Sequence, residues 1–323
     1  MTKDKKYLSL DEQISLLKSK GLIINSKKTA KKYLKNIGYY KLINGYKGPF
    51  IITAGNREGE MNFYVENTSI DSLFHLYKLD QDIKGLVFKY ISNIEIMIKS
   101  VMSDYISYKY GIKETEYLKS ENFRPDTLNS KQKKFIEIQS EILKTITSQV
   151  GKHKAITHYA NNYGYFPFWV VSNILTLGTI SLLYSKMKQI DQNEISRVFN
   201  IKPKTFESIL SILQLFRNVC AHNEVIYNYR TYKSLSQKEL KYIYEAYNII
   251  LDGNTGRYYH GVNDVFSLII IFKLLLTKDQ FSEFISQFNS LLNNFKKKVS
   301  ETMFNEVLFT MGIVDSLDII KKL

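Results

Sequence analysis

Three polar residues near the end of an apolar segment are the first candidates for chemistry. They are Arg217, Asn218 and His222, in the run Leu215-Phe216-Arg217-Asn218-Val219-Cys220-Ala221-His222-Asn223. A guanidinium holds anionic oxygens through two parallel N–H bonds. An imidazole gives or takes a proton near neutral pH. The preceding residues Phe206, Ile209, Leu210, Ile212, Leu213, Leu215 and Phe216 are apolar on most sides. They predict a buried bundle helix over 203–226. Polar groups on such a helix need partners or a cavity. Asn218 and His222 are i, i+4 and share a face, so the amide can orient the imidazole. Arg217 and His222 are separated by about 140° around the helix and about 7.5 Å along it. Arg217 must therefore use its long arm, the helix must bend, or two copies must face each other across a dimer. A plainer arrangement pairs Arg217 with Glu224 and leaves His222 as a hydrogen-bonded core histidine. The spacing alone leaves both open.

The other familiar signatures are missing. The chain has no P-loop, dinucleotide fingerprint, His-Glu-x-x-His or Gly-x-Ser-x-Gly. Its histidines (75, 153, 158, 222 and 260) lack zinc-site spacing. The lone Cys220 excludes a disulfide scaffold and a thiolate cluster. No metal or cofactor is expected. With 323 residues, 44% hydrophobic, the composition is that of a globular protein of one or two domains. No apolar stretch follows the polar N-terminus, and the longest apolar run, 265–276, includes Lys273. Neither a signal peptide nor a membrane span is expected, which predicts a cytoplasmic protein.

The formal charge is +14, and residues 1–50 hold 12 Lys against Asp4, Asp11 and Glu12. Such a chain favours polyanions, although a lysine-rich face is also simply well solvated. Ser9-Leu10-Asp11-Glu12 has capping-box spacing and opens a first helix. Ser26 caps a second, with Ala30, Tyr33, Leu34 and Ile37 inward and Gly38 as its stop. Its other face carries Lys27, Lys28, Lys31, Lys32 and Lys35, which could contact phosphates. Tyr39, Tyr40 and Lys41 follow, as a base-stacking platform or as part of a buried tyrosine corner. Residues 50–53 and 61–65 allow one short hairpin.

From Ser69 the apolar spacing is helical for about 35 residues, as in a long bundle helix. Residues 111–130 read as a loop. Further helices are expected at 131–149, 152–162, 168–188, 191–199, 203–226, 236–251, 262–277, 278–298 and 300–323. Asp252–Gly261 reads as a loop between two of them. The expectation is all-α: a basic N-terminal region over 1–66 and a helical bundle over 67–323.

Five blocks then carry a family resemblance. They are Leu10–Leu22; Tyr33-Leu34 with Ile37–Leu42; Ile94-Glu95 with Lys99; Pro167–Val170 with Leu177–Tyr184; and Arg217–His222. In this order they resemble the Abi-like family of bacterial abortive-infection proteins, whose members carry an HEPN-type helical domain. The last block resembles the HEPN signature of Arg, a polar residue, three more residues and His. Two departures stand out. Lys99 replaces a more usual Arg, and Asn223-Glu224 follows the motif where a second His and an Arg are common.

The resemblance implies an HEPN-like bundle and metal-independent RNA cleavage, with Arg217, Asn218 and His222 as catalytic residues. It also implies a homodimer that supplies a second Arg/His set. It implies restraint of the nuclease, by a bound noncoding RNA, a protein antitoxin or an inactive resting dimer. Lys27, Lys28, Lys31, Lys32, Lys35, Tyr39, Tyr40 and Lys41 are the candidate RNA-binding residues. Two other classes compete: an RNA-binding protein that never cuts, and a helical scaffold that senses a phage component.

Overall fold

The computed structural model describes residues 7–52, 63–125, 134–246, 249, 251, 253 and 255–314. The fold is all-α apart from one two-stranded sheet. No helix among the described residues is long and apolar enough to cross a membrane.

Helix α1 (Leu10–Ser19) begins at a complete capping box. The Ser9 hydroxyl accepts from Glu12 N, and the Glu12 carboxylate accepts from Ser9 N. Helix α2 (Lys27–Ile37) is capped by Ser26 and buries Ala30 and Leu34. It stops at Gly38, whose φ of +88° suits glycine. Tyr33 stacks on Phe74 at 3.9 Å and donates to Asp71. Residues Tyr40–Asn44 form a π-helical turn, which no periodicity argument anticipated. It buries Leu42 and Ile43. Strands β1 (Ile51–Ile52) and β2 (Phe63–Tyr64) pair antiparallel, as the hairpin expectation required. Residues 53–62 between the two strands lie outside the described residues.

Helix α3 (Ile70–Tyr110) runs 41 residues. The expected loop after it contains a short helix, α4 (Glu114–Tyr117). Then come α5 (Phe135–Gln149), α6 (Lys154–Asn162), α7 (Phe168–Ile174) and α8 (Leu177–Lys186). The single helix expected over 168–188 is thus two. Thr176 ends the first and caps the second, its hydroxyl accepting from Thr179 N at 3.1 Å. Helix α9 (Gln189–Val198) and α10 (Pro203–Ala221) follow. Within the helix expected over 236–251, α11 (Lys241–Ala246) forms, and residues 247, 248 and 250 lie outside the described residues. Ser236 and Glu239 ahead of α11 have capping-box spacing, but the Glu239 carboxylate accepts from the Thr205 hydroxyl. Helices α12 (Val265–Leu275), α13 (Lys278–Lys296) and α14 (Glu301–Thr310) complete the chain. Residues 315–323 of the last expected helix lie outside the described residues, as do parts of the expected loop at 252–261.

The chain divides into two compact units. The first comprises Met1–Leu86, Asn223–Tyr229 and Glu283–Leu323, and the second Val87–His222 and Arg230–Ser282. In the first, α1 packs on α2, and α14 on the turn Gly48–Phe50. Its core contains a fully buried carboxylate, Asp80. Asp80 accepts from Tyr46 Oη and from the backbone N–H groups of Ile226 and Tyr227, each at 2.9 Å, and pairs with Lys84 at 3.1 Å. Lys84 also donates to Asn223 Oδ1 and the Glu224 carbonyl. Every charge in this network has partners, as burial requires.

In the second unit, α10 packs against α8, α9 and α12. A second buried carboxylate, Asp191 on α9, accepts from Tyr105 Oη, Lys109 Nζ and Tyr110 Oη at 2.6–2.7 Å. Burial pushes its pKa up, but the three donors outweigh burial and hold the carboxyl below its ordinary value.

Candidate nuclease site

The motif-bearing helix α10 is built by its apolar face. Pro203 opens it at a position where a missing N–H costs nothing. Phe206, Ile209, Leu210, Ile212, Leu213, Phe216 and Val219 are buried. Gly178 of α8 faces this helix. A Cβ there would stand 2.8 Å from Gln214 Nε2. Glycine therefore leaves room for that side chain between the two helices.

The remaining face of α10 carries the motif. Arg217 and Asn218 are half-buried, and His222 is exposed. The helix, apolar on most sides, is thus buried along its apolar face and leaves these polar groups on the face that is not enclosed. The helix also ends sooner than expected, at Ala221, with His222 as its cap. The reason is Asn223, which adopts φ +54°. Asparagine is one of the few residues that tolerate this left-handed conformation, a common helix stop. The His222 N–H still bonds the Asn218 carbonyl at 2.9 Å.

The Arg217 guanidinium lies over the ring of Phe88, its Cζ 5.8 Å from the centroid. Among the described residues no hydrogen bond or ion pair engages the Arg217 guanidinium, the Asn218 amide or the His222 ring. The amide-to-imidazole bond suggested by the i, i+4 spacing is therefore not made. The motif is a cation steadied by an aromatic ring, with an accessible imidazole at the same end of one helix. Such a pair can bind an anionic oxygen and move a proton. Among the described residues, no group of three His, Cys, Asp or Glu side chains stands where a metal ion could be held.

The candidate RNA-binding residues divide into three sets. Lys28, Lys32 and Lys35 are exposed on one face of α2, and Tyr40 projects with 80% of its surface exposed. Lys27 and Lys31 pair with Asp11 at 2.7 and 2.8 Å. Their hydrogen bonds hold the Asp11 carboxyl below its ordinary pKa. Tyr39 and Lys41 are half-buried. Burial raises the Tyr39 pKa. Burial, followed by the like charge of Lys84, lowers that of Lys41. The tyrosine-rich stretch is thus neither all platform nor all core, since Tyr46 is fully buried.

Sequence reasoning missed the Asp80–Lys84 network. Its signal was two charges four residues apart within the apolar stripe of Leu79, Ile83 and Val87.

A family model described as Abi-like protein matches residues 32–228, well over half of the chain. No curated protein and no solved structure matches.

Proposed function

The chain belongs to the Abi-like protein family, and from that premise we propose that it is an antiphage endoribonuclease of the HEPN type, acting through Arg217 and His222. The observation that carries this reading is the uncommitted Arg217–His222 pair at the exposed end of α10. Cleavage begins with attack of an RNA 2′-oxygen on the adjacent phosphorus. The bond to the 5′-oxygen breaks, leaving a 2′,3′-cyclic phosphate and a 5′-hydroxyl. The attacking hydroxyl gives up a proton and the departing oxygen takes one, and an imidazole suits either transfer. Arg217 holds the extra negative charge that develops on the phosphorane oxygens. Asn218 binds a phosphate oxygen, since its amide is not engaged with the ring. One chain carries one such motif, so a second copy supplies the second imidazole.

The test is cleavage of RNA in EDTA by wild type and His222→Ala, with the product ends identified. Cyclic-phosphate ends that vanish in the variant support the reading. Equal cleavage by both proteins overturns it.

A second reading is a ribonucleoprotein that holds a structured RNA without cutting it. The exposed face of Lys28, Lys32 and Lys35 supports it, because it offers phosphate contacts on a helix that does not carry the motif. Retention of a discrete RNA with no scission by wild type would favour it.

A further inference from the structure

The second unit contains a groove of about 860 Å³ between α3 and α7 that the nuclease chemistry does not use. Its walls bear three residues from the family-like blocks: Glu95, Lys99 and Trp169. It starts at Ser92, whose hydroxyl donates to the Phe88 carbonyl, one helical turn from the ring that carries Arg217. It continues along the same face of α3 to Ser107 and Tyr108. From Ser92 to Ser107 is about 22 Å at 1.5 Å per residue, room for several nucleotides stacked at about 3.4 Å.

The chemistry of the walls decides what fits. The ammonium of Lys99 is already committed, to Glu95 at 2.7 Å and to the Leu175 carbonyl at 2.7 Å. Asp104 adds a second carboxylate. Among the described residues that line it, a phosphate would find no free cation, in a chain that is +14 as a whole. Two aromatic rings do face outward: Tyr108 is 91% exposed and Trp169 43%. Between them the lining is serine, and the buried Ser103 and Ser172 hydroxyls bond each other at 3.1 Å. Exposed aromatic faces beside hydroxyls and carboxylates suit flat, uncharged rings with donors on their edges.

We infer that this groove binds unpaired RNA bases, stacking them on Trp169 and Tyr108, while the backbone stays outside and leads to Arg217. The inference rests on the RNA reading above. It makes the groove a selector of which single-stranded segment is presented, and Trp169 and Tyr108 binding rather than catalytic residues.

Trp169 is the only tryptophan in the chain, so its emission reports on the groove directly. The experiment titrates His222→Ala protein with oligouridine and oligoadenosine 12-mers, following Trp169 quenching alongside filter binding. The expected result is saturating quench that tracks binding. Tyr108→Ala should weaken affinity at least fivefold without altering its salt dependence, and Trp169→Phe should retain it. RNA binding with no quench and no effect of Tyr108→Ala overturns the groove assignment while leaving the nuclease reading untouched. Emission that changes with protein concentration alone, with a doubled mass lost in Tyr108→Ala, also overturns it and gives the groove to a second copy. Quench that persists in a protein whose wild type does not cut supports the groove and overturns only the nuclease. Failure to bind either 12-mer overturns the groove proposal, and wild-type cleavage in EDTA then shows separately whether the nuclease survives.

Discussion

Arg217 rests its guanidinium on the face of Phe88, 5.8 Å from the ring centre. The contact joins α10 to α3 and leaves the N–H edge of the guanidinium free. A partly exposed cation–π pair of this kind contributes about 0.5–1 kcal/mol. Phe88→Leu should therefore lower RNA cleavage by up to about fivefold, with little change in melting temperature. Arg217→Lys should cost far more, about a hundredfold, because an ammonium cannot make two parallel N–H bonds. Single-turnover cleavage of one RNA by the three proteins measures both effects. Equal rates for wild type and Arg217→Lys would remove Arg217 from the chemistry.

The split among the basic residues of α2 predicts different salt responses. Lys28, Lys32 and Lys35 are exposed, whereas Lys27 and Lys31 already neutralise Asp11. Replacing the first three by Gln should reduce the slope of log affinity against log salt by about 2 for single-stranded RNA. Replacing Lys27 and Lys31 should change it by less per residue, since Asp11 already holds both ammonium groups. Filter binding across a salt series distinguishes the two. Identical slopes in all three proteins would show that this face is only solvated.

Asp191 predicts an acid-sensitive bundle. Its side chain is fully buried, and its pKa is held below the ordinary value of 3.8 by three donors acting against burial. A carboxyl more acidic folded than unfolded contributes stability above its unfolded pKa and loses it as pH falls through the folded value. Wild type should thus lose stability progressively below about pH 4. Asp191→Asn should be less stable at pH 7 by about 3 kcal/mol, and should lose less on further acidification. Urea unfolding at several pH values tests this, and parallel pH profiles for the two proteins would refute it.

Gly178 predicts a sign reversal. A methyl group at 178 would stand 2.8 Å from the flexible end of Gln214 and in ordinary contact, at 3.4 Å, with Thr176 Oγ1. Gly178→Ala should be close to neutral, because the crowding offsets the gain of about 1 kcal/mol in helix propensity. Combined with Gln214→Ala, the same change should be stabilising. Gly178→Leu should cost about 1–3 kcal/mol. Thermal denaturation of the series is sufficient, and a large loss in Gly178→Ala would show that Gln214 cannot move.

Much of this architecture was legible because its signals are local. Ser9 with Glu12, and Ser26 before its lysines, mark helix starts through bonds spanning three residues. The stripe beginning at Leu73 marks α3 through its period alone. What escaped depended on distant partners. Ser236 and Glu239 have the spacing of a cap, but Thr205 claims the glutamate from 34 residues away. Thr176 lies in an unbroken apolar pattern and still divides two helices. Asn223 was a stop signal within reach, since asparagine commonly takes the left-handed turn after a helix. The apolar pattern resumes at Val225 and Ile226, which masks that stop in the sequence. The same split applies to the site. The residue types of Arg217 and His222 were visible in the motif, while their exposure depended on which face of α10 packs against α8.

The first compact unit is assembled from three separate stretches of chain, the last beginning at Glu283. That ordering has a consequence during synthesis. At about 5–20 residues per second, the ribosome delivers all of the second unit, including α10, before the closing segment of the first unit emerges. The turn Gly48–Phe50, on which α14 packs, must wait for that cover until the closing segment arrives. A message cut short after residue 282 would encode every residue of the second unit and Arg217–His222 but leave the first unit without its third stretch. Translation past Glu283 then becomes a condition for the lysine-bearing unit to mature.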